Sequence, residues 1–239
     1  TSDIYDLAII GGGISGVSAA LEASRTTLKS ILLEKGLETS VATTRANSGI
    51  VHCGVHTTQG TLKAHLEQKG RKIFPHLCRN LNVSLRRCGE LVIARNEAEL
   101  NALQELQKSC AALDLECSLW GSARVKLEEP NLATDAIEGA LSIPETSVVN
   151  PFELCNAMTN CAMANGVEIS CGSMVTGIRR VDRVVEANGD VPVEYAPKLI
   201  FELKVSRQGY LPVYLYAKTV INATGTDAGS VTGFLKDAT

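Results

Sequence analysis

The sequence predicts an α/β fold built on an N-terminal βαβ unit, on three observations. The apolar run Leu7-Ala8-Ile9-Ile10 passes directly into Gly11-x-Gly13-x-x-Gly16. Helical spacing of Val17, Ala20, Leu21 and Ser24 follows, and a second apolar run, Ile31-Leu32-Leu33, ends in Glu34. Helix and strand signals alternate again from Asn150 onward and close on Thr219-Val220-Ile221, the order expected of a mostly parallel sheet with helices beside it.

Each residue of the opening turn has a physical job. Gly11 permits a tight exit from the strand. Gly13, with no Cβ, lets a diphosphate approach the backbone, and Gly16 lets the helix sit close to the sheet. The first helical residues, Ile14 and Ser15, point N–H groups and the positive end of the helix dipole at that space. Glu34 lies 18 residues beyond Gly16, where a carboxylate can accept hydrogen bonds from ribose hydroxyls; Lys35 follows it. Strand, turn, helix and acid together predict a dinucleotide-binding unit.

Composition narrows the function classes. At 239 residues the chain is long enough for a substantial core. A net charge of −3 and an aromatic share of 4% give no case for nucleic acid, by charge or by base stacking. No apolar run approaches the ~20 residues of a membrane span. Asp3 and Asp6 precede the first apolar run, unlike a secretory leader, so a cytoplasmic protein is expected. None of the eight cysteines forms a C-x-x-C pair, which argues against zinc and redox motifs and for free, mostly buried thiols.

Beyond Lys35, residues 36–49 read as a polar loop at the C-terminal end of a strand, where ligands bind in open α/β sheets. Thr44, Arg45, Asn47, Ser48 and Gly49 are its candidate cofactor contacts, with Arg45 suited to a phosphate. Ile50 to Val55 reads as a strand carrying His52, with His56 on the same face; no acid or cysteine nearby in sequence completes a metal set, so no metal is expected. His52, directly after the loop, is the candidate base. Residues 61–82 read as a helix with Leu62, Leu66, Ile73 and Leu77 on one face and an interruption at Pro75. Gly89–Ala94 reads as a strand, preceded by Arg86 and Arg87, and Asn96-Glu97-Ala98-Glu99 as a capped helix start. The stretch from Trp120 to Pro144 reads as loop-rich. Asn150-Pro151-Phe152-Glu153 opens a helix that Asn165-Gly166 closes. Strands are expected over 167–170, 174–178, 199–205 and 211–217, with a turn at Asn188-Gly189-Asp190, and a last, buried strand over 219–226. A cofactor domain formed by residues 1–50 and 147–239 therefore encloses an inserted α+β region, residues 51–146.

Several segments resemble FAD-dependent oxidoreductases of the D-amino-acid-oxidase superfamily: Asp6 to Gly16 with Glu34, Thr44 through Gly54, Arg87-Cys88-Gly89-Glu90-Leu91, Glu129-Pro130-Asn131-Leu132, Val149 through Leu154, and Val220-Ile221-Asn222-Ala223-Thr224-Gly225. Within it the likeness is greatest to anaerobic-type glycerol-3-phosphate dehydrogenases, with L-2-hydroxyglutarate dehydrogenases near. The resemblance implies FAD rather than NAD, and a Rossmann-like FAD-binding domain with an inserted substrate-side region. It implies that the glycine turn and Glu34 hold the ADP half and that the Thr44–Gly49 loop runs along the flavin. It also places backbone at Val175 near the adenine, Ala223 and Gly225 near the diphosphate, and His52 near the isoalloxazine. The activity implied is oxidation of sn-glycerol 3-phosphate to dihydroxyacetone phosphate by hydride transfer to flavin, with an unidentified electron acceptor. The alternatives are an L-2-hydroxyglutarate dehydrogenase or amine oxidase on the same scaffold, or an FAD-binding fragment without catalysis. Family members continue well past Thr239 with further substrate-binding strands and a late Gly-Asp segment, which Gly189-Asp190 does not match, so a chain cut short at its C-terminus is expected.

Overall fold

The computed structural model describes residues 4–133, 136–181, 183–184, 193–194 and 200–235. In chain order the elements are β1 (Ile4–Ile10), α1 (Ile14–Ala23), β2 (Ser30–Leu33), β3 (Ile50–Val51), α2 (Leu62–Asn80), β4 (Leu85–Arg86), β5 (Glu90–Ala94), α3 (Glu97–Ala112) and β6 (Ser118–Gly121). They continue with α4 (Ser122–Glu128), β7 (Gly139–Ile143), β8 (Ser147–Val149), α5 (Pro151–Ala164), β9 (Glu168–Ser170), β10 (Met174–Val181), β11 (Arg183–Val184) and β12 (Val193–Glu194). Last come β13 (Ile200–Ser206), β14 (Val213–Asn222), a 3-10 turn (Gly225–Asp227) and α6 (Ala228–Gly233). They form two compact units, Thr1–Asn47 with Pro151–Thr239, and Ser48–Asn150.

The first unit is organised by a six-stranded sheet in the order β10-β13-β14-β1-β2-β9. β1 lies between two parallel neighbours, with Ile9 level with Leu32 on β2 and Ile221 on β14. A strand between parallel neighbours is covered on both faces, so it reads as a continuous apolar run rather than an alternation. Leu7 through Ile10 are all buried, as are Ile31, Leu32 and Leu33. α1 turns Val17, Ala20 and Leu21 inward and packs against α5. β13 and β10 extend the sheet antiparallel, contributing Leu203, Val205, Val175 and Ile178 to the core.

The second unit holds two three-stranded sheets, β3-β8-β4 and β5-β7-β6. α3 covers one face of the latter with Leu103 and Cys110, and Leu141 and Ile143 pack there. α3 starts as the sequence dictates. Asn96 Oδ1 accepts from the Glu99 N–H at 2.9 Å, and the Glu99 carboxylate accepts from the Arg95 N–H at 2.7 Å. Two N–H groups at the helix start that lack intrahelical partners are thereby satisfied. Asn96→Ala is expected to lower stability by about 1 kcal/mol, seen as a lower thermal midpoint; an unchanged midpoint would remove the cap from the account.

Several expectations are corrected. The strand at 50–55 is only Ile50–Val51; Cys53 to Gly60 is turn and bend, so His52 and His56 do not share a strand face. Gly54, with φ +93°, ends the extended run. α2 runs unbroken through Pro75 to Asn80, and its leucine face is not core: Leu62, Leu66 and Ile73 are exposed. Ala64, Cys78 and a Glu145–Arg71 ion pair hold it instead. The loop-rich stretch 120–144 contains the end of β6, α4 and β7, the middle strand of its sheet. The strands read separately at 211–217 and 219–226 are one, β14, because Lys218 does not break it. Its ammonium reaches sideways to Asp6 Oδ1 on β1 at 2.7 Å, and that bond, with the Lys29 N–H, holds Asp6 below the usual carboxylate range. The end of β14 is not buried: Thr219, Ile221 and Asn222 are exposed. The Asn188–Asp190 turn lies outside the described residues. Of the eight free cysteines, Cys53, Cys78, Cys110 and Cys155 are buried, and Cys88 is exposed.

Candidate functional site

In the first unit the chain leaves β1 through Gly11, Gly12 and Gly13. Gly11 has φ +106°, and a Cβ there would meet the Ala223 carbonyl oxygen at 2.5 Å. The segment after β14 is thus pressed onto the turn, tied by the Ala223 N–H to Ile10 O at 2.8 Å. A Cβ on Gly16 would lie 1.9 Å from Gly11 O, so the helix starts in backbone contact with the turn. Gly13 is different. An added Cβ would meet only the Thr44 hydroxyl, at 3.1 Å. Its ordinary φ of −76° needs no glycine; the missing side chain leaves space beside the helix start.

That helix start suits an anion. Gly13 offers no side-chain cap, and no acidic residue occupies the first turn of α1. The Ile14 N–H donates to Thr44 Oγ1 at 2.9 Å, while Ile14 and Ser15 are exposed. Uncapped N–H groups and the helix dipole together form an anion site. Thr44 is therefore a strut from the loop to the turn. Asn47 steadies the same loop, its Nδ2 donating to Thr44 O at 2.5 Å. Arg45 is spent elsewhere: its guanidinium pairs with Glu38 at 3.4 Å and lies 5.0 Å from the centre of the Phe152 ring.

Glu34 is buried and held on both oxygens. Oε2 accepts from the Gly12 N–H at 2.5 Å and Oε1 from the Gly36 N–H at 2.6 Å. Each oxygen retains a lone pair for a further donor. Lys35 pairs with Asp227 at 2.5 Å, which raises the lysine pKa. Both side chains are half-exposed, so the pair is worth little to stability. It does join the end of β2 to the turn that contains Gly225 (φ +59°). Asn222 shapes that turn, accepting from the Thr224 N–H and hydroxyl and donating to Ala228 O and Thr232 Oγ1.

The structure thus gathers Gly11, Gly13, Ile14, Ser15, Gly16, Glu34, Lys35, Thr44, Ala223 and Gly225 around one turn. Val175 is buried on β10, paired with Val205 at the far edge of the sheet from β2. The chain nevertheless passes the acid just before it: the Ser173 N–H donates to Glu34 O at 2.8 Å and the Gly172 N–H to Gly36 O at 2.7 Å. Ser48 and Gly49 fall in the second unit, where Gly49 O accepts from the Val149 N–H at 2.9 Å. The roles of Thr44, Asn222 and Asp227 as struts were not read from the sequence. Their only signal was position, near glycines that end strands.

In the second unit His52 is exposed and has no hydrogen-bond partner among the described residues. His56 has one: its Nε2 lies 2.9 Å from Glu90 Oε1. The buried Cys53 thiol donates to the same oxygen at 3.7 Å, and burial raises its pKa, so it stays a thiol. Glu90 also lines a cleft of about 240 Å³ with Arg87, Cys88, Trp120, Glu129 and Ser142. Nothing in the sequence pairs His56 with an acid 34 residues away.

Comparison with known proteins bears on this arrangement. The family model described as "FAD dependent oxidoreductase" (DAO) matches residues 6–238. A glycerol 3-phosphate dehydrogenase of Caloramator mitchellensis is 36% identical over 180 residues, covering 75% of this chain and 37% of that protein. An L-2-hydroxyglutarate dehydrogenase of Salmonella houtenae is 32% identical over 168 residues, covering 70% of this chain and 39% of that protein. The chain thus spans well under half the length of these curated relatives. Among solved structures, dithionite-reduced L-alpha-glycerophosphate oxidase of Mycoplasma pneumoniae with FAD bound matches with a TM-score of 0.82 at 23% identity, covering 98% of this chain and 57% of that one. Glycine oxidase of Geobacillus kaustophilus matches with a TM-score of 0.80 at 20% identity, over 98% and 58%. No helix among the described residues is long and apolar enough to cross a membrane.

Proposed function

The chain belongs to the FAD dependent oxidoreductase family, and on that premise we propose that it is the FAD-binding part of a dehydrogenase that oxidises sn-glycerol 3-phosphate to dihydroxyacetone phosphate. The observation that carries the reading is the 36% identity to a glycerol 3-phosphate dehydrogenase over three-quarters of the chain. The turn supports the cofactor. Gly13 leaves room that a Cβ would fill, α1 begins uncapped, and Glu34 is held ready at the end of β2.

In this reading the residues divide by task. Gly11 and Gly16 fix the shape of the turn. Gly13, Ile14 and Ser15 face the diphosphate, with Thr44 bracing the helix start, and Ala223 and Gly225 border it from β14. Glu34 takes ribose hydroxyls on its remaining lone pairs. Thr44 through Gly49 run along the flavin, as do Arg45 and Asn47 within that loop. The first unit is the cofactor domain and the second the substrate side. Bound flavin supplies a two-electron acceptor for a hydride. The protein must supply a base for the substrate hydroxyl, for which the sequence offers His52.

The test is an absorption spectrum of the purified, FAD-loaded protein under anaerobic conditions. Addition of sn-glycerol 3-phosphate is expected to bleach the flavin bands. Bleaching by L-2-hydroxyglutarate alone would move the assignment to that substrate, which the Salmonella houtenae relative favours. Flavin that neither donor bleaches would leave a cofactor-binding fragment. A protein that takes up no flavin would end the reading.

A further inference from the structure

We propose that His56, oriented by Glu90, is the residue that accepts the proton of the oxidised hydroxyl. The inference rests on the dehydrogenase reading above and names the base within it. Geometry carries it. His56 Nε2 and Glu90 Oε1 are 2.9 Å apart. A carboxylate can only accept, so the imidazole proton sits on Nε2 and the lone pair is left on Nδ1. An acid behind one ring nitrogen fixes the tautomer and stabilises the imidazolium that forms when the other takes a proton.

The surroundings hold this pair in place. The Cys53 thiol gives Glu90 Oε1 a second donor, at 3.7 Å. β5, which carries Glu90, is paired along its whole length with β7, so the acid stands on a rigid strand. The loop that carries His56 is pinned by Gln59, whose Nε2 donates to Gly54 O at 3.1 Å and Thr57 O at 2.8 Å. Gln68 on α2 donates in turn to Gln59 Oε1 at 3.0 Å. Glu90 is about one-fifth exposed, His56 nearly half. The orienting acid is sheltered while the imidazole remains open to a substrate. His52, four residues earlier, has no such acid behind it.

The step balances simply. The hydroxyl proton passes to His56 Nδ1, the hydride on the same carbon leaves for the flavin, and the C–O bond becomes a carbonyl. Glu90 is a positioning residue and stays ionised throughout.

Two measurements test this, one independent of turnover. Two-bond ¹H–¹⁵N NMR of the imidazoles is expected to show His56 in the Nε2–H form in wild type and a mixed tautomer in Glu90→Gln, an isosteric change. A wild-type His56 in the Nδ1–H form overturns the proposal. Second, flavin reduction by whichever donor bleaches wild type should slow about 100-fold or more in His56→Gln. In Glu90→Gln it should slow about tenfold or more, with flavin content retained in both. Added imidazole should restore part of the rate to His56→Ala. Wild-type rates in His56→Gln overturn the base assignment while leaving the dehydrogenase reading intact. A wild type that no donor bleaches removes both, whereas the tautomer result would still report on the Glu90 contact.

Discussion

Gly11→Ala is expected to cost about 3 kcal/mol of stability, roughly 10 °C in the thermal midpoint, whether or not flavin is present. Two independent effects combine. The residue sits at φ +106°, where an L side chain is strained. Its Cβ would also stand 2.5 Å from one backbone atom, Ala223 O, and 2.8 Å from another, Ala223 C. Backbone cannot swing aside as a side-chain tip can, so the β14 segment must move. Gly16→Ala meets the same obstacle, with Gly11 O at 1.9 Å. Gly13→Ala is the instructive contrast. Its φ is ordinary and only a hydroxyl lies near, so stability should change by less than about 1 kcal/mol. Flavin content and FAD affinity should nevertheless fall sharply, because the new methyl fills the space reserved for the diphosphate. Thermal melts of the flavin-free proteins, paired with FAD titrations, separate the two classes. A Gly13→Ala protein that binds FAD like wild type would mean the diphosphate lies elsewhere.

That contrast also shows which parts of the molecule the sequence exposes. The glycine turn, the doubly covered β1 and β2, the Asn96 cap and the Asn150-Pro151 helix start are local rules written in adjacent residues, and each is found in the structure. β7 was unreadable because its first two residues, Gly139 and Ala140, carry no strand preference. They earn their place by packing: a Cβ on Gly139 would meet the Leu100 side chain at 2.9 Å and Trp120 O at 3.0 Å. α2 misleads in the opposite way. Leu62, Leu66 and Ile73 have helical spacing but face outward, and periodicity reports a face without saying what covers it. The pairs that complete the two candidate sites, Lys35 with Asp227 and His56 with Glu90, join residues far apart in sequence, and no spacing rule reaches that far. Glu34 was legible as a ribose acceptor but not as a structural strut.

Replacing Glu34 should therefore weaken the protein even before any ligand is considered. Its carboxylate is 8% exposed and accepts from two backbone N–H groups, one on the glycine turn and one at Gly36. Glu34→Gln keeps the shape but offers one oxygen and one NH2 group. One of the two N–H donors would then face another donor in a buried place, at a cost of about 2 kcal/mol. Glu34→Leu leaves both without partners and should cost more, about 3 kcal/mol or above. Neither loss depends on FAD, so both should appear in melts of the flavin-free protein. The effect on FAD affinity should exceed the effect on stability, because the same substitution removes the ribose acceptor and loosens Gly12 beside the diphosphate space. If the flavin-free Glu34→Gln protein melts like wild type while its FAD affinity falls, the carboxylate acts on the ligand alone, and the short contacts to Gly12 and Gly36 do not hold the turn. If both fall together, the acid at the end of β2 is doing two things with one side chain. It shapes the turn that receives the diphosphate and takes the sugar next to it, so a family substitution here cannot alter ribose recognition without also disturbing the fold.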